Sequence, residues 1–414
     1  MNSRQRILCS LDHHQPDRVP IDLGGHHSSS FSVQAYRDFR NYLGLKPSKL
    51  YIHDFIQQLA LTEEDVLDIL HVDTVNDAQV FLYRPEIWKD WELPDGTPCK
   101  IPNYIDVRKN SVGDSEVYNN DGVAVAIQKK GCLYFDQLVF PYAEKVDDDF
   151  SDFEEQSKKM MWQVIQSPPF PISYDAAGIA YRIKAADELR QTSDRAIYNI
   201  FGGSLLEYLN QAFRMDNSLC NLLIEPEIVN AFLDRAMEKY MRDLESFMAV
   251  NGGNVDIIGW SDDLGGQSAP LMSVQTFRKF FKPRYQELWG YAKKLNPNVK
   301  LCLHSCGAIA PFIGDLIECG MDALNPVQIT CNGMELVYLK KEFGKDITFW
   351  GGGCDTREIL PSAEPQQIKD HVKKNLDIMM PGGGFVFQQI HNILANVPPQ
   401  NVMAMFEAVH EYNG

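Results

Sequence analysis

Eight short apolar runs, each separated from the next by a stretch able to hold at least one helix, constrain this chain more than any other feature. In order they are Val19 to Leu23, Val72 to Ala78, Arg195 to Phe201, Val255 to Trp260, Lys300 to His304, Asp322 to Val327, Ile347 to Gly351 and Gly384 to Gln389. Strands that alternate with helices predict a parallel sheet, because a parallel pair needs a crossover long enough to contain a helix. Eight such units predict closure into a (β/α)8 barrel of the α/β class rather than an open doubly wound sheet. A helix over Arg4 to Leu11 precedes the first run as an N-terminal extension. Between residues 83 and 142 the texture changes to Trp88, Trp91, Pro94-Asp95-Gly96, Asp121-Gly122 and the alternating Val123 to Ile127, which predicts antiparallel strands joined by tight turns. This stretch is expected to be a β-rich insertion within a single domain spanning residues 1 to 414.

Charge narrows the function classes. The chain of 414 residues carries a formal net charge of −17 and no run of Lys or Arg, which argues against a nucleic-acid footprint and leaves small molecules or proteins as partners. No stretch approaches the ~18 apolar residues of a membrane span. Met1 to Leu11 is polar and basic without an apolar centre, so a cytoplasmic location is expected. Nine cysteines without a tight framework are expected to be reduced. No glycine-rich dinucleotide or phosphate-binding fingerprint occurs, since Gly351-Gly352-Gly353 and Gly382-Gly383-Gly384 lack the required spacing.

In a barrel the polar residues after each strand converge on one mouth whatever their separation in sequence. The fifth run ends in His304-Ser305-Cys306-Gly307. An imidazole and a thiol two residues apart point to one side of an extended chain and suit Zn²⁺. Cys354, directly after the three glycines that end the seventh run, is the expected third ligand, and three protein ligands leave an open position of the kind catalytic zinc keeps. Cys331 and His391 are alternatives for that place. Cys306 without metal would be a reactive thiol before a helix N-terminus. Asp262 and Asp263 follow the fourth run, where Asp263 is the candidate acid, base or orienting group and Asp262 a weaker one beside the bland reading of a helix cap. His391, after the last run, is the second candidate catalytic group. His26 in Gly24-Gly25-His26-His27, Trp260, Gln267, Asn325 and Asn392 are the candidate substrate contacts at strand ends, His26 weighed against a solvated loop. Asp147 to Glu155 reads as a solvated acidic connection, and Cys302 as a side chain one pleat below His304, inside the barrel.

At these motifs the chain resembles the uroporphyrinogen decarboxylase superfamily. The resemblance rests on Pro16 to Asp22, Ser261 to Gln267, Lys282-Pro283-Arg284, His304 to Gly307, Asp322 to Gln328, Phe349 to Gly353 and His391 to Pro399, and covers nearly the whole chain. It implies a (β/α)8 barrel and two chemistries. True uroporphyrinogen decarboxylases carry an arginine-bearing segment after the first strand, where this chain has Gly24-Gly25-His26-His27-Ser28. The methyltransferase branch carries a His-x-Cys and a later Cys on zinc and moves methyl groups between corrinoid proteins and thiols, amines or methoxy compounds. His304 and Cys306 match its first part; at the place of the later cysteine stands Pro381-Gly382-Gly383-Gly384. The resemblance implies a zinc-dependent methyltransferase working with a methylcobamide on a separate corrinoid protein, since no Asp-x-His-x-x-Gly cobalamin motif occurs here. A metal-independent decarboxylase of a tetrapyrrole or other carboxylate is the alternative, a non-enzymatic tetrapyrrole or corrinoid carrier a third reading, and a homodimer is left open.

Overall fold

The computed structural model describes residues 1–82, 84–168 and 176–414; Tyr83, the expected start of the insertion, lies outside them. Seven of the eight expected runs form one parallel sheet. Its strands are β1 (Thr74–Asn76), β2 (Ala196–Gly202), β3 (Ile257–Ser261), β4 (Lys300–His304), β5 (Ala323–Asn325), β6 (Thr348–Trp350) and β7 (Phe385–Val386), paired in sequence order. Sequential order with a helix in most crossovers curls the sheet on itself, with helices outside and a narrow core inside.

The eighth run, Val19 to Leu23, does not form a full strand. It makes a single parallel bridge, Ile21 to Phe387. The amide of Asp22 donates to the Phe387 carbonyl and that of Phe387 to the Pro20 carbonyl, while on the other side Asp73 donates to the carbonyl of Ile21. An extended segment thus lies between β7 and the entry to β1, pinned on both sides. The expected barrel is therefore observed as a curled seven-stranded sheet whose edges are joined by this segment.

Two apolar layers follow from the period-two alternation of the strands. Inward residues Ala196, Tyr198, Ile257, Cys302, Ala323, Trp350 and Val386 form one cluster with Ile7 and Leu11 of the helix Ser3–Leu11. That helix begins in a capping box between Asn2 and Gln5 and covers the N-terminal end of the sheet, where Ser10 donates to the Phe385 carbonyl (2.6 Å). Burying Ile7 and Leu11 completely stabilises this closure by about 1.5–3 kcal/mol for each side chain. With that end covered, the open end is the C-terminal one, where the strand-end loops lie. Outward residues pack against the surrounding helices in the large remaining core, centred on Pro226–Asn251, Lys282–Leu295 and Pro365–Met379.

The stretch expected to be β-rich holds antiparallel strands. Trp88–Glu92 pairs with Pro98–Pro102, and Asp106–Lys109, Ser115–Tyr118, Ala124–Gln128 and Asp136–Gln137 form a four-stranded sheet. Asp121-Gly122 turns between the second and third of these, with Gly122 at φ +77°, a conformation that favours glycine. Among the described residues no helix is long and apolar enough to cross a membrane.

Candidate metal centre and cleft

His304 closes β4, and its ring is aimed by a chain of buried amides. Its Nδ1 lies 2.8 Å from Oδ1 of Asn325, the neighbouring residue on β5. The Asn325 amide cannot turn over, because its nitrogen donates to the Trp350 carbonyl (3.1 Å) and to Oε1 of Gln388 (2.7 Å). Its oxygen is therefore an acceptor, Nδ1 of His304 carries the proton, and Nε2 presents a lone pair. That lone pair lies 3.4 Å from Sγ of Cys306.

Cys306 is held by its backbone. Its N–H donates to Oδ1 of Asp263 (2.8 Å), the same oxygen that stands 3.7 Å from Nε2 of His304. The next residue, Gly307, has φ +95°, and a Cβ there would meet the backbone of Gly265 at 2.4 Å. Only glycine lets the turn after β4 close against the loop carrying Asp263. Burial, and then Asp263, pushes the Cys306 thiol well above its usual range in the metal-free protein. A bound divalent ion reverses that preference by binding the thiolate.

His391 arrives from beyond β7, its ring edge-on to His304 at 5.7 Å. Burial and His304, opposed by Asp263, hold it down at about 4, so it is a neutral imidazole at physiological pH. Ligating atoms of His304, Cys306 and His391 all lie within 4.8 Å of one another. Ligand atoms on a tetrahedral zinc stand ~3.5 Å apart, so the 3.4 Å between Cys306 and His304 already fits. Two imidazoles and a thiol are a zinc-type donor set that leaves a position open.

The structure places Cys354, the third ligand expected from the sequence, apart from this group. Gly351 and Gly352, at φ +113° and +79°, turn the chain out of β6. Asn375 of Pro365–Met379 donates to the carbonyls of Gly352 and Gly353. Cys354 consequently packs among apolar side chains with no exposure, and burial raises its thiol. It is absent from the ligand group, where His391 stands instead. Cys331, the other alternative, is buried beside Gln267 and Gln328.

The group opens into a cleft of about 350 Å³ lined by His26, Glu207, Asp263, His304 and His391 among others. His26 is 4 % exposed and stacks on His304, with centroids 4.7 Å apart and planes 14° from parallel. Its Nδ1 accepts from the N–H of Ser28 (3.1 Å), so the proton sits on Nε2, which has no partner. His26 is thus part of the cleft wall, not of a solvated loop.

Four other expected contacts lie elsewhere. Trp260 faces outward from β3 and packs between Phe201 and Trp289. Gln267 is exposed, its carbonyl accepting from Asn332. Asn325 is fully buried and serves His304. Asn392 is buried with its amide nitrogen facing the carbonyls of His27 and Ser28 (2.6 and 3.1 Å). Strand-end position alone does not say whether a side chain faces the mouth or the helices.

The two carboxylates after β3 divide their tasks. Asp263 faces the cleft. Asp262 is fully buried and accepts from the N–H groups of Leu205 (2.9 Å), Leu206 (2.7 Å) and Glu207 (2.8 Å) and from the Tyr285 hydroxyl. It anchors the start of the helix Leu206–Phe213 rather than that of Val274–Phe280, which Ser273 caps. Burial outweighs these donors and pushes Asp262 up to about 6.

Glu207, unremarked in the sequence, enters the cleft because Asp262 fixes the backbone beneath it. Burial, then Asp263 and Asp262, holds its carboxyl well above the usual range. Its signal was its place just after Gly202-Gly203, the end of β2.

Replacing Asn325 with Ala frees the His304 ring without touching a ligand atom. Metal affinity, read by competition with a chromogenic chelator, is expected to fall about 10- to 100-fold, the usual cost of losing such a partner.

The uroporphyrinogen decarboxylase (URO-D) family model matches residues 175–412, more than half of the chain. The methylcobamide:CoM methyltransferase MtaA of Methanosarcina barkeri is 26 % identical over 167 residues, 40 % of this chain and 44 % of that protein. The MtaA of the Fusaro strain is 25 % identical over the same length. The chain therefore spans less than half the length of these relatives. In fold, a methyltransferase from Methanosarcina mazei superposes over all of both chains with a TM-score of 0.60 at 16 % identity. With the family model extending from before β2 through the last helix, across the whole ligand group, the chain belongs to the uroporphyrinogen decarboxylase family.

Proposed function

We propose that this protein is a zinc-dependent methyltransferase that moves a methyl group between a corrinoid carried by a separate protein and a small molecule. The observation that carries this reading is the group of His304, Cys306 and His391, with Nε2 of His304 aimed by Asn325, at the open end of the sheet. Similarity to methylcobamide:CoM methyltransferases supports it. Zinc held by these residues supplies Lewis-acid activation of an oxygen or sulfur atom that carries or receives the methyl group.

The chain's own residues do the rest. Asn325 accepts from Nδ1–H of His304 and so points Nε2 at the group. Asp263 fixes the Cys306 turn through the backbone N–H. His26, on the cleft wall, stacks against the His304 ring and holds it in place, with its own Nε2 buried and without a partner. The decarboxylase alternative asks for a protonated His391, whereas burial keeps that ring neutral down to about pH 4.

Protein purified without added metal is expected to contain about one zinc per chain and to transfer methyl groups to or from added cobalamin, with loss on chelation and return on zinc addition. Folded protein that takes up no zinc, or activity indifferent to chelation, would overturn the proposal. Zinc affinity is expected to depend on pH in a defined sense. Cys306 must release its raised proton to bind, whereas His391, titrating near 4, has none to release. Apparent affinity should weaken about tenfold for each unit of pH between about pH 8 and about pH 6, measured by titration at fixed ionic strength.

A further inference from the structure

His27 lies on the cleft and has no part in the metal group. It opens the short turn His27–Ser29 and lines the cleft together with Asp263, His304 and His391. Behind it stands Asp54, 1 % exposed, at the end of the strand Ile52–Asp54. Nδ1 of His27 is 3.4 Å from Oδ2 of Asp54. That carboxyl group is itself fixed, accepting from the backbone N–H (2.9 Å) and the side-chain amide (3.2 Å) of Gln57. A carboxylate only accepts, so Nδ1 of His27 carries the imidazole proton and Nε2, on the other side of the ring, presents a lone pair. The ring is also packed in place, with His53 edge-on at 4.9 Å and His26 tilted at 6.0 Å. Its backbone carbonyl faces the amide nitrogen of Asn392 (2.6 Å), the residue after His391.

The other imidazole and carboxyl groups on the cleft have other tasks. His304 and His391 belong to the metal group. His26 accepts at Nδ1 from the N–H of Ser28, so its Nε2 already holds the ring proton. Asp77 is paired with Arg182 (3.3 Å) and Asp243 with Lys239. Asp263 accepts from the N–H of Cys306, and burial beside Asp263 and Asp262 keeps Glu207 from ionising readily. Among the described residues lining the cleft, His27 is thus the imidazole whose lone pair is not needed for the metal. Burial outweighs Asp54 and lowers this ring from its ordinary value, which leaves it neutral and able to accept at neutral pH.

Methyl transfer to a thiol, a hydroxyl or an ammonium group moves a proton as well as a methyl group. The heteroatom sheds its proton and bonds to the methyl carbon, while the cobalt–carbon bond breaks with both electrons left on cobalt. In reverse, cobalt(I) takes the methyl group with that electron pair and the heteroatom takes up a proton. The need for a proton-transfer group is therefore the same for sulfur, oxygen and nitrogen.

Resting on the methyl-transfer reading, we propose that His27 is a catalytic residue whose Nε2 takes the proton from the heteroatom being methylated and returns it in the reverse reaction. Asp54 is its positioning residue, setting the tautomer and the direction of the ring.

The test uses zinc-loaded protein with three probe reactions, one for each heteroatom: methylcobalamin with mercaptoethanol, methylcobalamin with dimethylamine, and cob(I)alamin with anisole. His27→Gln, which cannot take a proton, is expected to slow transfer about 100-fold or more with zinc content unchanged. Added imidazole should restore part of the rate to His27→Ala, which a packing role for the ring would not allow. Histidine-selective NMR of the unaltered protein gives a reading apart from activity. The ring signals missing from His27→Gln should report the Nδ1–H tautomer, and Asp54→Asn, with an amide nitrogen in place of Oδ2, should convert them to Nε2–H. A His27→Gln protein that transfers at full rate or loses its zinc, a His27→Ala protein that imidazole does not revive, or an Nε2–H tautomer in the unaltered protein would each overturn this inference alone. If the unaltered, zinc-loaded protein transfers no methyl group in any of the three reactions, the methyl-transfer reading falls and the inference falls with it.

Discussion

His304→Ala is expected to lose zinc and methyl transfer together. It removes a proposed ligand whose ring is already oriented by Asn325, so the loss in affinity should exceed the about 10- to 100-fold cost of losing only an orienting partner. The same substitution leaves Cys306 and His391 as an incomplete pair. Cys354→Ser is the matched comparison, because Cys354 is the residue that sequence reasoning places on the metal and the structure places in the apolar core. Its zinc content should equal that of the unaltered chain. Metal analysis of both variants after gel filtration decides the matter: a His304→Ala protein that keeps stoichiometric zinc, or a Cys354→Ser protein that loses it while folded, would overturn the ligand set.

Asp262→Ala is expected to produce the largest loss of stability of any single polar substitution near the site. Three backbone N–H groups and one hydroxyl converge on this carboxylate in a fully buried setting. Alanine would leave all four donors without a partner, and each buried unsatisfied donor costs about 1–3 kcal/mol before relaxation. Allowing for repacking and water entry, a loss of about 3–5 kcal/mol is expected, well above the ~1 kcal/mol of an average substitution. Urea unfolding followed by tryptophan fluorescence measures it. Asp263→Ala, one residue on, should cost far less stability, because that carboxylate accepts a single backbone bond from Cys306 and faces the cleft. Equal destabilisation by the two substitutions would refute the division of roles.

Much of the fold was legible because hydrophobic periodicity is a local property. Seven of the eight runs read as strands are strands of one parallel sheet, since an apolar run between helical segments has few other places to go. Val19 to Leu23 was the exception. Its backbone is shared between β7 and the entry to β1, and only one bridge fits where the edges of the curled sheet meet. The antiparallel strands between Trp88 and Gln137 were announced by turn residues such as Asp121-Gly122, whose conformation is likewise set within a few residues.

The site divides along the same line. His304-x-Cys306 was legible because two residues on an extended chain share a face whatever surrounds them. The third member was not, because it depends on which strand end turns inward. Two glycines with positive φ carry Cys354 away from the mouth, while the segment after β7 brings His391 to it. Asp262 and Asp263 are equivalent as letters, yet one fastens a helix and the other meets Cys306. Asn325 was expected to touch substrate and instead orients a ring. Sequence by itself determined the alternating architecture, the strand that bears the imidazole and thiol, and the acidic character of the chain, all of which follow from composition and short-range spacing. Tertiary structure alone decided which side chains meet, because barrel curvature and backbone turns bring together groups separated by tens to hundreds of residues, and a one-residue change of facing exchanges cleft for core.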